Sequence, residues 1–457
     1  MLGPDEPRYA AIGRAMAQTG QLITPKLWGS PWFEKPPLLY WMTAVGTWAG
    51  LDRDLAGRVP VAALSLCFLG VFFALLRSEF GFDASALASI LLASSAAWFT
   101  YSDLCLTDLP LAVFFSLAVL FALPLLRSTY AGNRLRLRLA AIGASLGLAM
   151  LAKGLAPIAL AFPLLWFLRR YWRYLWIAAV ALFAAAAPWY LAVCAENGYA
   201  FIQDFFIKQH LERLYSPALQ HVQPWYYYLP VLLAGLFPWT PLLGLLALRR
   251  TVWDERHKFL ATTVLWGVLF FSLSLNKLPG YLLPLVPALL ALIAAQFEAE
   301  SPAGLPRAWL VPCAALIATI PLLAQVLPET LAAGRLTSVT LRGLSPTQLF
   351  YVVLPMAVLL FVRRSWAPFI LVLCVVAGGL FLKSAAEPVL DRTVSARSLW
   401  NELRSNPKGI CDDWMPRDWA YGLAFYRGSP FPPCSSGRYP LRLRSPRHGP
   451  PLLEANP

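Results

Sequence analysis

Apolar runs of roughly 15–20 residues, separated by short polar loops, make up most of this chain. The runs are continuous and do not alternate, so they predict helices and not barrel strands. They fall at 56–76, 86–101, 108–126, 139–153, 155–168, 175–194, 226–248, 259–275, 279–297, 309–327, 349–362 and 367–384. The predicted fold is an all-α polytopic membrane protein with about twelve transmembrane helices. Two shorter amphipathic stretches precede them. In residues 5–18, Tyr9, Ile12 and Met16 share one face, and Arg8, Arg14 and Gln18 lie elsewhere. In 36–49, Leu38, Trp41, Val45 and Trp48 form a stripe. Both are too short to span, so they are predicted to lie on the membrane surface, where tryptophan is favoured. Asp5 or Glu6 is placed to cap the first helix, Pro7 to occupy its first turn and Gly20 to end it.

Charge gives the orientation. Arg77, Arg127, Arg134, Arg136, Arg138, Arg169, Arg170, Arg173, Arg249, Arg250, Arg256, Lys258, Arg307, Arg363 and Arg364 fall on one side if every predicted helix spans. That side is cytoplasmic by the positive-inside rule. Residues 1–55, the 102–108 loop, Lys153, the 195–225 loop, 276–278, 328–348 and the tail then lie outside. The same distribution explains the net charge of +14 without nucleic acid. Only 14% of the 457 residues are charged, against about 25% in soluble domains, and mean hydropathy is +0.57. Composition shifts near 385, giving a membrane-embedded domain over 1–384 and a C-terminal extension over 385–457. Its last twenty residues, rich in Pro and Arg, read as disordered. Cys67, Cys105, Cys194, Cys313 and Cys374 accompany apolar segments, whereas Cys411 and Cys434 lie in the tail, where an oxidising compartment permits a disulfide.

The polar residues on the outer side are candidates for chemistry. Asp5 and Glu6 are either helix caps or a general base for an acceptor hydroxyl or amine. Asp103 and Asp108 sit at the lip of two helices, and carboxylates at membrane depth are costly. Asp108 with Thr107 reads equally as a helix N-cap. Lys35, Lys153, Lys208, Arg213 and Lys277 fit a phosphate group or, alternatively, lipid headgroups. Lys153-Gly154 marks a tight turn at one membrane face. The 195–225 loop adds His210, Glu212, His221 and several aromatics, which suit sugar and phosphate contacts or an interfacial belt. No CxxC motif or His/Cys cluster suggests a structural metal, and no Gly-x-Gly-x-x-Gly unit suggests a nucleotide domain.

Taken together, Asp5-Glu6-Pro7-Arg8-Tyr9-Ala10 and Phe33-Glu34-Lys35-Pro36-Pro37 with Tyr40-Trp41 resemble the opening of bacterial membrane glycosyltransferases of the aminoarabinose lipid A transferase and protein O-mannosyltransferase type. The resemblance continues through Thr107-Asp108-Leu109-Pro110, Ala152-Lys153-Gly154, His210-Leu211-Glu212-Arg213, His221-Val222-Gln223-Pro224-Trp225 and Asn276-Lys277-Leu278-Pro279-Gly280-Tyr281, over roughly residues 3–300. It implies inverting transfer of a monosaccharide from a polyprenyl-phosphate donor to a lipid, glycan or protein acceptor. It also implies an active site on the periplasmic side of a bacterial inner membrane. Asp5 matches the expected base and Asp108 the acidic residue of the second outer loop. Lys35 and Arg213 match cations near the donor phosphate, and Tyr281 a further phosphate contact. Glu6, Tyr9, Glu34, Lys153, His210 and Lys277 are expected around the substrate. No cofactor is required by this reading, a divalent cation being the alternative. Family members carry a spanning helix ahead of the acidic motif, so one is expected upstream of Met1. The competing reading is a transporter or flippase for a lipid-linked sugar, which predicts charges buried mid-helix and repeats with broken helices. The charges here lie in outer loops, which favours the transferase.

Overall fold

Helix α1 (Asp5–Thr19) ends at Gly20, whose φ of 71° is a left-handed stop that a side chain disfavours. This computed structural model describes residues 1–212, 222–248, 253–298, 306–333, 343–363, 365–405, 409–437, 439–445 and 450–456. Tyr9, Ile12 and Met16 form the buried face of α1, as their spacing predicts. Burying a large apolar side chain contributes about 1.5–3 kcal/mol. A two-residue hairpin follows, β1 (Lys26–Leu27) antiparallel to β2 (Ser30–Pro31). Next comes α2 (Leu38–Trp48), which crosses α1 closely. A Cβ on Gly13 would lie 2.7 Å from the Tyr40 carbonyl oxygen, so only glycine permits the approach. Leu39, Tyr40 and Ala44 face inward, while Val45 and Trp48 are exposed. The stripe seen in the sequence is therefore the outer side of α2.

Two local expectations are corrected. Neither Asp5 nor Glu6 caps α1, because Pro4 holds the cap position without a side-chain bond and both carboxylates pair with arginines. Similarly, Thr107 is the residue before helix α4 (Asp108–Arg127) and makes no capping bond, and Asp108 turns to a lysine instead.

Among the described residues, six helices are long and apolar enough to cross a membrane: Leu55–Ser94, Asp108–Arg127, Gly132–Lys153, Arg169–Asn197, Pro279–Gln296 and Ala367–Thr393. Two bent pairs, Trp225–Gly235 with Thr240–Leu246 (113°) and Arg307–Ala318 with Ile320–Leu331 (49°), raise the number to eight. The sequence pattern suggests about twelve. Part of the difference is that two predicted runs fall in one bent stretch, and part is that other runs fold as short helices. The runs at 56–76 and 86–101 fall on the two limbs of α3 (Leu55–Ser94), which is broken between them at Gly81 with φ 82° and ψ 178°, and the second run ends in a separate helix, Ala96–Tyr101. The run at 155–168 is two short helices, Ala156–Leu160 and Phe162–Phe167. The run at 349–362 is the helix Pro346–Phe361.

Helix α4 is the buried axis of the bundle, with Leu109, Ala112, Val113, Phe115 and Ala118 at 0–1% exposure. It packs against α5 (Gly132–Lys153), which packs in turn on α6 (Leu175–Asn197). Gly143 lets α5 and α6 touch, since a Cβ there would sit 1.9 Å from the Ala178 carbonyl oxygen. The N-terminal hairpin is fastened to the end of α6: Thr24 donates to Glu196 at 2.5 Å, and Asn197 donates to Thr24 at 2.7 Å.

The chain leaves the bundle through α7 (Ala367–Thr393), which runs past residue 384. Beyond it lies a small cap. Strand β3 (Ile410–Asp413) pairs parallel with β4 (Leu441–Arg444), which pairs antiparallel with β5 (Leu452–Ala455). Helix α8 (Arg417–Arg427) joins β3 to the rest and packs on α1. Cys411 and Cys434 form a disulfide with their Cα atoms 4.9 Å apart. The last twenty residues, expected to be disordered, thus supply two of the sheet's three strands. The pairing of β4 with β3 is non-local and leaves no compositional trace.

Candidate functional site

Two acid–base clusters form where the loops around α1, α2 and α4 meet. The first is a string of alternating charges. The Asp5 carboxylate and Arg8 pair at 2.5 Å, one turn apart on α1. Arg8 reaches Glu34 at 2.9 Å, and Glu34 faces Lys35 at 3.5 Å. Arg8, Glu34 and Lys35 are sheltered, with side chains 8–11% exposed, whereas Asp5 is 44% exposed. The open end of the string is therefore Asp5. Burial opposes the Arg8 charge, but Glu34 first, and Asp5 further on, keep its pKa above the ordinary arginine value. Its guanidinium also lies 5.3–5.4 Å from the rings of Tyr9, Trp32 and Tyr421. Tyr9 is a wall of this cluster, buried and tilted against Tyr40 at 6.0 Å.

The second cluster stands at the start of α4. Lys153, the last residue of α5, donates to Asp108 at 2.6 Å. Gly154 closes that helix with φ 78°. The Lys153 ammonium also sits 4.7 Å from the Tyr281 ring centroid. Gly280 fits against the same carboxylate. A Cβ there would lie 2.3 Å from Asp108 Oδ1 and 2.9 Å from the Tyr101 hydroxyl oxygen. Four separate stretches of chain, at 101, 108, 153 and 280–281, thus converge on one carboxylate.

Glu6 behaves differently from its neighbour Asp5. It is 1% exposed and every approach to it is taken. Arg58 Nε and Nη2 donate to its two oxygens at 2.7 and 2.6 Å. The backbone N–H groups of Cys105 and Leu2 donate at 3.0 and 2.7 Å. Burial alone would raise its pKa, yet the Arg58 hydrogen bonds and charge outweigh burial and hold it below the usual glutamate value. Glu6 is thus a staple joining α1, α3 and the 102–107 loop, and it fixes the first cluster relative to the second.

Of the residues predicted from sequence, Asp5, Tyr9, Glu34 and Lys35 come together, and Asp108, Lys153 and Tyr281 come together. Lys277 does not join either cluster. It is buried and donates to the carbonyl oxygens of Gln223 at 3.0 Å and Ser274 at 2.5 Å, beside a bridge between Val222 and Asn276. Arg213 and the His210 side chain lie outside the described residues. Asp103 pairs with Lys383 of α7. Sequence reasoning missed Arg8 as a site residue, although its spacing from Asp5 carried the signal. It also missed Arg58 and Tyr101, for which no local signal exists. Among the described residues, no group of three or more His, Cys, Asp or Glu side chains is gathered to hold a metal ion.

The first cluster offers an accessible carboxylate backed by a buried cation and a sheltered lysine, and the second offers a lysine held in place by a carboxylate. Such a site can accept a proton and offset developing negative charge on an anion.

Comparison with known proteins points the same way. Residues 2–197 match the dolichyl-phosphate-mannose-protein mannosyltransferase family. An undecaprenyl phosphate-alpha-4-amino-4-deoxy-L-arabinose arabinosyl transferase of Pseudomonas paraeruginosa is 35% identical over 301 residues, 62% of this chain and 53% of that protein. The enzyme of the same name from Serratia proteamaculans is 30% identical over 308 residues, 65% of this chain and 55% of its own length. The chain therefore spans about half the length of the curated relatives it matches. The crystal structure of ArnT from Cupriavidus metallidurans bound to undecaprenyl phosphate superposes with a TM-score of 0.76 at 25% identity, covering 94% of this chain and 81% of that one. Sequence over the first two hundred residues is thus similar to the dolichyl-phosphate-mannose-protein mannosyltransferase family, and fold over nearly the whole chain is similar to that of ArnT.

Proposed function

We propose that this protein transfers a monosaccharide, with inversion, from a polyprenyl-phosphate donor to a lipid, glycan or protein acceptor. The reaction would take place at the periplasmic face of a bacterial inner membrane. The observation that carries the reading is the charge string Asp5–Arg8–Glu34–Lys35, open at Asp5, standing on a buried Glu6–Arg58 staple. The names of the relatives supply the donor class, undecaprenyl phosphate carrying a sugar. The arginine-rich loops supply the orientation, leaving α1, α2 and the cap outside.

In this reading one bond forms and one breaks. The acceptor oxygen or nitrogen attacks the anomeric carbon, and the bond from that carbon to the phosphate oxygen is cleaved. Asp5, the exposed carboxylate, takes the acceptor proton. Charge develops on the departing polyprenyl phosphate, and Lys35 together with Lys153 offsets it. Arg8 holds Asp5 and Glu34 in place. Asp108 aims the Lys153 ammonium, and Tyr281 packs beneath it. The lysines provide the positive charge that a divalent cation would otherwise bring, so the reading assigns no resident cofactor. Residues 1–384 carry the chemistry and membrane lipids surround them, with the remainder forming the cap.

The test is a panel of polyprenyl-phosphate sugars offered to the purified protein in lipid nanodiscs. Release of polyprenyl phosphate from at least one donor, dependent on an acceptor, is expected. Turnover of nucleotide sugars without the lipid, or no release from any lipid donor, would overturn the reading.

A further inference from the structure

The C-terminal cap lies directly against the charge string. Its helix α8 packs along α1, and the contacts are specific. Arg14 of α1 donates to the Phe425 carbonyl oxygen at 2.9 Å and lies 4.7 Å over the Phe425 ring. Arg53 donates to the Tyr426 carbonyl oxygen at 2.6 Å, and the Tyr426 hydroxyl donates to Asp54 at 2.8 Å. A Cβ on Gly422 would come within 2.6 Å of the Ala396 Cβ, so the helix is also fitted to the chain that leads into the cap. The disulfide between Cys411 and Cys434 closes the segment that contains α8.

One residue of α8 meets the site itself. The Tyr421 ring centroid is 5.3 Å from the Arg8 guanidinium and 5.5 Å from the Trp28 ring. Trp28 holds a left-handed backbone, φ 50°, at the hairpin tip between β1 and β2, which is unusual for a bulky residue. Tyr9, Trp32 and Tyr421 together surround Arg8, and its Nε makes no hydrogen bond in the structure. Two carboxylates share one terminal nitrogen, Nη2, and aromatic rings surround the guanidinium. Cations over ring faces are attracted by the ring quadrupole, the more so when sheltered from water. Two of the three rings belong to the membrane-embedded part, and the third comes from the tail.

We infer that Tyr421 is a positioning residue: the cap completes the site by clamping Arg8 between Asp5 and Glu34. This rests on the glycosyl-transfer reading for its kinetic part and is independent of it for its structural part. Loss of the ring frees the guanidinium to swing, and the Asp5 carboxylate loses its fixed geometry. Donor binding through Lys35 and Lys153 is not touched directly, so kcat falls and the donor KM holds.

The experiment compares the full-length protein with Tyr421→Ala and Tyr421→Phe, all in nanodiscs. The first readout is modification of Arg8 by phenylglyoxal, followed by peptide mass spectrometry. Wild type and Tyr421→Phe are expected to react slowly, and Tyr421→Ala several-fold faster. The second is steady-state transfer. Tyr421→Ala should lower kcat by about two- to thirtyfold with donor KM within about twofold, and Tyr421→Phe should restore it. Equal Arg8 reactivity in all three proteins, or a kcat loss in Tyr421→Phe matching that of alanine, would overturn the assignment. If Tyr421→Ala does not fold, Tyr421→Leu keeps the bulk without the π-face and is read by the same criteria. If wild type turns over no lipid donor, the glycosyl-transfer reading fails, and Arg8 reactivity alone decides the cap's role.

Discussion

Arg58→Ala should damage this protein well away from any substrate. Glu6 is 1% exposed and receives two of its four hydrogen bonds from Arg58, at 2.7 and 2.6 Å. Removing the guanidinium leaves a buried carboxylate with only the Cys105 and Leu2 N–H groups. Breaking a buried ion pair from one side costs about 3–5 kcal/mol. With an unfolding entropy near 2.1 cal/mol/K per residue over this length, that corresponds to roughly 3–5 °C in Tm. The pH dependence gives the sharper sign. In wild type the Glu6 pKa is depressed, so its stabilisation is present above the ordinary glutamate value of about 4.3 and is lost as pH falls through the lower folded value. In Arg58→Ala burial dominates and the folded pKa moves up. The defect is then greatest at neutral pH and shrinks as pH falls towards about 5, where Glu6 takes a proton. Thermal melting of both proteins in nanodiscs at pH 5 and pH 7.5 reads this directly, and Glu6→Gln in the Arg58→Ala background should recover part of the loss. A variant that melts with wild type at pH 7.5, or loses as much at pH 5, would refute the reasoning.

Three further outcomes follow from the two clusters. Lys35→Ala should raise the KM for a polyprenyl-phosphate sugar about tenfold or more, as loss of one charge-assisted contact of about 1.5–3 kcal/mol implies, measured by initial rates over a donor series. Lys153→Met should lower kcat/KM by a similar factor, and Asp108→Asn should not add fully to it, because the two residues act as one unit; a double-mutant cycle checks this. Chelation with EDTA should leave the transfer rate within about twofold, and a loss that magnesium or manganese restores would move part of the phosphate charge from the lysines to a metal.

Much of the architecture is legible in the sequence because helix periodicity is local. Tyr9, Ile12 and Met16 declare the inner face of α1, and Gly20 declares its end. The Asp5–Arg8 spacing was equally readable, since one helical turn brings the two together. Adjacent Asp5 and Glu6, by contrast, look interchangeable in the sequence. Their separate fates depend on Arg58 and Cys105, remote in the chain, and periodicity says nothing about such pairings. The same limit hid the cluster at Asp108, which is assembled from Tyr101, Lys153 and Gly280. It also hid the cap, where β3 and β4 pair across the α8 helix. Breaks within apolar runs, such as the one between the short helices Ala156–Leu160 and Phe162–Phe167, escaped hydropathy because composition is unchanged across them.

The central claim is that Asp5 serves as the base for transfer from a lipid-phosphate donor. The direct measurement is release of undecaprenyl phosphate from an undecaprenyl-phosphate sugar in proteoliposomes, wild type against Asp5→Asn, with acceptor present. Wild type should release the lipid phosphate in step with acceptor glycosylation. Asp5→Asn should be slower by about 100-fold or more while binding the donor normally and melting within a degree or two of wild type. Turnover by Asp5→Asn at the wild-type rate would contradict the account.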